Sequence, residues 1–427
     1  MKTKILGVIL SFLFLIAPLG ACSESTQSGK LLSPAVNCLA EQTYMAKSAL
    51  AGHSVKFSVD DFARAVNLSN IESVTITSLP SITDGELRVG SSVLTSPQKL
   101  SAASVSLMTY HPSSSIRTSQ FKFKVNDLPY ELSCNLYVLD KENYAPTLST
   151  APKTALEVST HENVTYFGKL PCYDPDGDET FIEIVSYPEK GLLVLDDKAL
   201  GTYRYIPYEE STGEDSFCYI AGDKYGNYSA SATVTLSINE KETPVNYVDL
   251  DNSPYHSAAL TMTEKGIMSG TQVGSSTYFY PDRAVSRAEF VVMAMNAFGI
   301  KSLPSSSTVF DDDGDISPDM KKYIASAYEL GYIKGSEEGE KLCFYPNREI
   351  TRAEAAVILA SMLDAATPTV TPVFSDTDAI PSWARPSIYS LSSLGVLESS
   401  GTSISATSSV TRGDAAVILT KFMAVKD

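Results

Sequence analysis

The sequence predicts a multidomain chain in which two all-β sandwiches precede an α-helical unit built from three repeats. Three observations carry this. Residues from about 31 to 240 are rich in Ser, Thr, Val and Tyr, with short apolar–polar alternations between turn residues, the period-two pattern of half-buried strands. From about 247 onward apolar residues recur at helical spacing instead, as in Tyr323-Ile324-Ala325-Ser326-Ala327-Tyr328. Within that second half one string returns three times: Ser286-Arg287-Ala288-Glu289, Thr351-Arg352-Ala353-Glu354 and Thr411-Arg412-Gly413-Asp414, with the arginines 65 and 60 residues apart. Self-similarity at a near-constant interval marks an array of like units.

Length and charge agree with this layout. A chain of 427 residues exceeds the roughly 100–200 expected of one domain and suggests three or more. A formal net charge of −17 argues against nucleic-acid binding, which needs a basic stripe, and favours solubility. At the start, Lys2 and Lys4 lead into an apolar run over 5–19. That run is too short to span a bilayer, so 1–21 reads as the signal peptide of an exported protein. No later segment approaches a spanning length. Leu19-Gly20-Ala21-Cys22 resembles a bacterial lipoprotein box, which implies a lipid on Cys22 and a polar tether over 22–30. Ordinary signal cleavage nearby is the alternative.

The first strand-rich module covers 31–142 and the second 145–240. Phe121, Phe123 and Val125 alternate with Lys122 and Lys124, and Val234, Leu236 and Ile238 share one side of a later strand. The two modules also resemble each other. Gly85-Glu86-Leu87, Tyr110-His111-Pro112 and Phe121-Lys122-Phe123 have counterparts in Gly191-Leu192-Leu193, Tyr205-Ile206-Pro207 and Phe217-Cys218-Tyr219. Through Asp174-Pro175-Asp176-Gly177-Asp178, Tyr203 to Pro207, Gly213 to Phe217, and Asp223 with Gly226, residues 145–240 resemble the bacterial immunoglobulin/cadherin-like repeats of surface proteins.

Six cysteines in an exported chain suggest disulfides. Setting Cys22 aside leaves five, consistent with two bridges and one free thiol. Cys134 shares a strand side with Leu132, Leu136 and Val138 and should face the core, where Cys38 is its expected partner. Cys218 lies between two inward aromatics and should face outward, where Cys172 is the expected partner. Asp174, Asp176 and Asp178, with Asp223 approaching from another loop, offer hard oxygen ligands suited to Ca²⁺. They lack the Gly and Glu positions of an EF-hand, and an acidic turn between strands is the alternative reading.

Each C-terminal repeat, over 247–300, 308–365 and 372–427, opens on an aromatic-x-Asp triplet: Tyr247-Val248-Asp249, Phe310-Asp311-Asp312 and Phe374-Ser375-Asp376. Each first helix should end at a glycine, Gly266, Gly331 or Gly395, because helix C-caps favour a left-handed residue. Phe279-Tyr280-Pro281 and Phe344-Tyr345-Pro346 then lead into the repeated string and a second helix. These ordered elements resemble S-layer homology domains. The resemblance implies three repeats packed around a pseudo-threefold axis, with grooves that bind secondary cell-wall polysaccharide, often pyruvylated. It implies Arg287, Arg352 and Arg412 as ligand contacts, with Asp249, Asp312, Asp376, Gly270 and Gly335 in the groove walls.

The string itself divides. A Ser/Thr-x-x-Glu/Asp pattern before an apolar run is a capping box, which explains its outer residues. The arginine has no part in that box, and its charge opposes the macrodipole in a first helical turn. A carboxylate or ketal-acid ligand explains it, and an intramolecular acidic partner is the alternative. The third repeat departs from the others: Ser399 replaces the second glycine, Ile404 and Ala406 stand at the Phe and Pro offsets, and its loop is shorter. That ranks Arg287 and Arg352 above Arg412. Trp383, the sole tryptophan, suits a core position better than a sugar platform.

These readings favour a non-catalytic surface protein of the bacterial cell wall, anchored by its repeats and displaying two β modules. An adhesin whose β modules bind an unknown protein or glycan ligand is one alternative. A lipoprotein tether joining membrane to wall through Cys22 is another. His53, His111, His161 and His256 are scattered, and no HExxH, GxSxG or Gly-rich phosphate loop is present, so the expectation is of no enzyme and of no cofactor beyond Ca²⁺.

Overall fold

The computed structural model describes residues 44–66, 68–113, 117–148, 155–302, 304–368, 372–399 and 403–426. The expected signal peptide and tether, together with Cys22 and Cys38, lie outside them. The described residues fall in two compact units. One takes in residues up to Leu148, Leu170–Tyr187 and Phe217–Thr233, and the other Ser149–Lys169, Pro188–Ser216 and Val234–Asp427.

The first unit opens with β1 (Tyr44–Leu50), β2 (Val55–Lys56), α1 (Val59–Val66), β3 (Ser73–Ser78), β4 (Gly85–Val89), β5 (Ser92–Val93), β6 (Gln98–Ser101), α2 (Ala102–Val105), β7 (Met108–Pro112), β8 (Thr118–Val125) and β9 (Leu132–Leu139). Two sheets result, ordered β1-β9-β8-β3-β6 and β2-β7-β4-β5. The β1–β9 pair is parallel, whereas β2–β7, β3–β6, β3–β8, β4–β5, β4–β7 and β8–β9 are antiparallel. Phe121, Phe123 and Val125 of β8 and Leu132, Cys134, Leu136 and Val138 of β9 are buried, as the alternation requires. A purely β expectation misses α1, which buries Phe62, Ala63 and Val66. Its start is a reciprocal cap: Ser58 N–H donates to Asp61 Oδ2 at 2.8 Å, and Asp61 N–H to Ser58 Oγ at 3.3 Å.

The next stretch forms β10 (Ala155–His161), β11 (Tyr166–Lys169), β12 (Thr180–Ser186), β13 (Gly191–Asp197), β14 (Thr202–Pro207), β15 (Gly213–Asp223) and β16 (Ala232–Asn239). In the first unit β12 pairs antiparallel with β15. In the second, β11-β14-β13 form an antiparallel sheet and β10 lies beside β16. The internal resemblance extends to register. Gly85 faces Pro112 and Leu87 faces Tyr110 across β4–β7, while Gly191 faces Pro207 and Leu193 faces Tyr205 across β13–β14. Both glycines are needed for space. A Cβ on Gly85 would lie 2.4 Å from His111 O, and one on Gly191 would lie 2.4 Å from the Tyr205 ring. Both tyrosine hydroxyls then donate to aspartates, Tyr110 to the Asp84 carbonyl at 2.8 Å and Tyr205 to Asp215 Oδ2 at 2.7 Å.

Neither expected disulfide forms, since Cys134 and Cys172 are free thiols. Cys218 is disulfide-bonded, and Cys172 is not its partner. Cys218 is also buried rather than outward-facing. The parity argument fails because β15 is buried on both faces from Phe217 to Asp223, so alternation there does not separate inside from outside.

The rest of the second unit comprises α3 (His256–Glu264), β17 (Thr271–Val273), β18 (Ser276–Tyr278), α4 (Arg287–Phe298), α5 (Pro318–Glu329), β19 (Ser336–Glu338), β20 (Lys341–Cys343), α6 (Arg352–Met362), α7 (Arg385–Ser393) and α8 (Arg412–Lys426). Repeats one and two each carry a helix, a two-stranded hairpin and a second helix. The third has two helices and no hairpin among its described residues. Gly266, Gly331 and Gly395 close the first helices at φ of 65°, 79° and 73°, as expected. One apolar core runs through all three repeats, from Tyr247 and Phe279 to Leu419 and Phe422. No described helix is long and apolar enough to cross a membrane.

Candidate functional site

The three strings lie together. Ser286 and Thr351 form complete capping boxes with Glu289 and Glu354. Thr411 and Asp414 exchange the same two bonds, both at 3.1 Å. The residues before each box then bond from one repeat to another in a closed cycle. Val285 N–H donates to Val410 O at 2.9 Å, Val410 N–H to Ile350 O at 2.9 Å, and Ile350 N–H to Val285 O at 3.1 Å. A second cycle joins Arg287 N to Arg348 O, Arg352 N to Ser408 O and Arg412 N to Arg283 O at 2.8, 2.9 and 2.8 Å. A third joins Ala288 N to Pro346 O, Ala353 N to Ala406 O and Gly413 N to Pro281 O at 3.0, 2.8 and 2.8 Å. The second and third cycles satisfy first-turn N–H groups that a helix cannot satisfy within itself.

Each arginine side chain therefore reaches into another repeat, but the three do not end alike. Arg352 donates from Nε to Ile404 O at 3.0 Å and from a terminal nitrogen to Glu398 O at 2.7 Å. Arg412 donates to Phe279 O and Ser269 O, both at 2.8 Å, with its guanidinium 4.7 Å from the Phe279 ring centre. Arg287 makes no guanidinium hydrogen bond among the described residues. It lies 3.7 Å from the Glu354 carboxylate and 5.2 Å from the Phe344 ring centre. Burial lowers the pKa of all three, with the neighbouring acids Glu354, Asp414 and Glu289 respectively opposing the shift. A buried guanidinium whose desolvation is incompletely compensated favours a further anion.

Glu354 is shared. Burial pushes its pKa up, but the Thr351 backbone bond, the Arg348 hydrogen bond and the Arg287 charge outweigh that and hold it below the usual carboxylate range. Arg348 in repeat two and Arg283 in repeat one both bond the acid of their own capping box. Sequence reasoning missed this pair, although both stand four residues before a string arginine; Ser408 holds that offset in repeat three.

The three aspartates hold backbone. Asp249 accepts from Phe279 N and Tyr280 N at 2.8 and 2.7 Å, and Asp312 from Phe344 N and Tyr345 N at the same distances. Asp376 accepts from Ile404 N and Ser405 N at 2.9 and 2.8 Å, and from Ser403 Oγ. Tyr280, Tyr345 and Ser405 all take positive φ, at 56°, 59° and 52°. The divergent third loop thus keeps the backbone turn of the other two. Gly270 and Gly335 leave room for the opening aromatics: an added Cβ would lie 2.4 Å from Tyr247 and 2.6 Å from Phe310. Trp383 does not join the core; it is 58% exposed just before α7.

Away from the repeats, Asp174, Asp176 and Asp178 come together, with one oxygen from each within 4.8 Å of the others. Asp223 does not join them. Its Oδ2 accepts from Asn143 and Asn227 side chains at 2.6 and 3.0 Å, and its Oδ1 from the Tyr225 and Asn227 amides.

With this geometry in place, comparisons with known proteins are informative. A family model described as the S-layer homology domain matches residues 246–291, 309–356 and 373–416, and one described as a bacterial Ig domain matches 143–239. A surface-layer 125 kDa protein of Lysinibacillus sphaericus is 29% identical over 194 residues, covering 43% of this chain and 15% of that protein. The exoglucanase XynX of Acetivibrio thermocellus is 28% identical over 141 residues, covering 32% of this chain and 12% of that enzyme. The matches thus span less than a sixth of either relative. Among solved structures, fibronectin(III)-like modules of Clostridium thermocellum CbhA align over 48% of this chain and 96% of that one at 13% identity, with a TM-score of 0.20, which carries no inference.

Proposed function

We propose that this chain, which carries three S-layer homology domains preceded by a bacterial Ig domain and so is a cell-wall-anchoring surface protein, acts without catalysis by gripping secondary cell-wall polysaccharide. The strand-rich stretches serve as spacer or binding units held out from that anchor. One observation carries the reading: Arg287 presents a buried guanidinium with no hydrogen bond among the described residues, close to an acid already engaged by Arg348.

A planar guanidinium in a water-poor setting recognises a carboxylate through two parallel bonds. A pyruvate ketal on a sugar supplies such a carboxylate at a fixed angle to the ring. The sequence favours Arg287 and Arg352 over Arg412; bond accounting instead sets Arg287 apart, because the other two guanidiniums already grip loop carbonyls. In this reading Arg352 and Arg412 lock loops, and Arg287 binds ligand with Phe344 beneath it.

The full chain bound to wall sacculi is expected to be released by soluble pyruvylated wall polysaccharide. The same polysaccharide stripped of its ketals by mild acid should release little. Equal release by both would remove the ketal acid from the account.

A further inference from the structure

We propose that Asp174, Asp176 and Asp178 bind one Ca²⁺ ion, which fixes the loop that grips the segment following β9. An acidic cluster alone would not carry this, but Asp174 adds an independent observation. The residue is 5% exposed, and its Oδ2 is buried without a hydrogen-bond partner. A buried carboxylate oxygen left unpaired is costly unless something positive meets it.

The protein contains its own control. Asp174 Oδ1 accepts from the amides two and four residues on, Asp176 N at 2.9 Å and Asp178 N at 3.1 Å. Asp223 Oδ1 does the same with Tyr225 N and Asn227 N, both at 2.9 Å. The two turns differ at the second oxygen. At Asp223 the chain supplies two amide donors, from Asn143 and Asn227. At Asp174 no donor meets Oδ2, and the groups clustered with this carboxylate are those of Asp176 and Asp178.

Charge and spacing then select the ion. Lys224 lies 3.4 Å from Asp178 Oδ1 and offsets one of three negative charges, which leaves two for a divalent cation. Oxygens sharing a Ca²⁺ at about 2.3–2.6 Å lie no more than about 5 Å apart, and the three here are within 4.8 Å. Mg²⁺ demands shorter bonds in stricter octahedral geometry and retains its waters, so it fits the cluster less well.

The consequence reaches the segment between β9 and the strands that follow. Asp176 Oδ2 accepts from Tyr144 N at 2.8 Å, and the Tyr173 and Thr147 backbones exchange bonds at 2.7 and 2.8 Å. An ion that fixes Asp176 through its other oxygen also fixes the acceptor for Tyr144.

Calorimetric titration of the chelator-treated full chain with CaCl₂ tests this. The expected result is a single saturable site, a higher melting temperature with Ca²⁺, and weaker binding of MgCl₂. Asp174→Asn, which keeps the Oδ1 acceptor, should lower Ca²⁺ affinity at least about tenfold, since affinity follows ligand charge. If that variant does not fold, Asp178→Asn carries the same expectation. Asp223→Asn should bind Ca²⁺ as the wild type does. No binding up to about 5 mM, beyond the range of extracellular modules, would overturn the proposal, as would wild-type affinity in the Asp174 and Asp178 variants.

Discussion

Replacing Gly413 with alanine is expected to destabilise the repeat unit, although alanine is normally the better helix former by about 1 kcal/mol. A Cβ at this position would lie 2.6 Å from Tyr255 Cγ and 2.7 Å from a neighbouring ring carbon. Cγ is anchored directly to the Tyr255 Cβ, so the ring cannot swing clear by turning about its own axis. Nor can Gly413 retreat easily, because its amide is bonded to Pro281 O at 2.8 Å in one of the closed cycles. Overpacking of this kind costs about 1–3 kcal/mol. Urea unfolding of the full chain measures it, and Tyr255→Ala in the Gly413→Ala background should recover much of the loss. Additive losses in the double variant would mean that the two residues are not in register. The same contact explains why the third string has glycine where the others have alanine: the large residue is supplied by repeat one, and the string gives way to it.

The three string arginines are expected to separate into two classes when each is changed to glutamine. Arg352→Gln and Arg412→Gln each remove the donor from two loop carbonyls and should cost about 1–3 kcal/mol of stability. Arg287→Gln removes a charge that makes no hydrogen bond among the described residues and lies 3.7 Å from an acid that keeps Arg348. Relief of its desolvation offsets the lost pairing, so it should cost less stability than either of the other two. Wall binding should show the reverse order. Arg287→Gln loses a buried charge that would meet the ligand directly, a loss of about 2–5 kcal/mol in binding. Denaturation and wall co-sedimentation on the same three variants supply both readings. An unchanged affinity in Arg287→Gln, together with a lost affinity in a normally stable Arg412→Gln, would reverse the assignment.

What was legible in the sequence follows from how local each interaction is. The capping boxes span four residues and are written in the string itself. The helix-ending glycines and the β8 and β9 alternations are equally local, and the structure keeps all of them. The α1 cap at Ser58 and Asp61 obeys the same rule but sits among strand-like residues, whose composition masked it. Interactions between repeats were not legible in any one copy. The fates of Arg352 and Arg412 are set by carbonyls 46 to 143 residues away in sequence, and carbonyls carry no sequence signature. Composition groups Asp223 with the acidic trio, whereas Asn143, 80 residues away, holds it elsewhere. Trp383 shows the limit of residue type as a guide: apolar character suits a core, but its position just before α7 leaves it in solvent.

The most direct test of the anchoring account is co-sedimentation of the full-length chain with wall sacculi before and after chemical extraction of the secondary polysaccharide. The account predicts saturable binding to intact sacculi and little binding to extracted ones. Equal binding to both would contradict it.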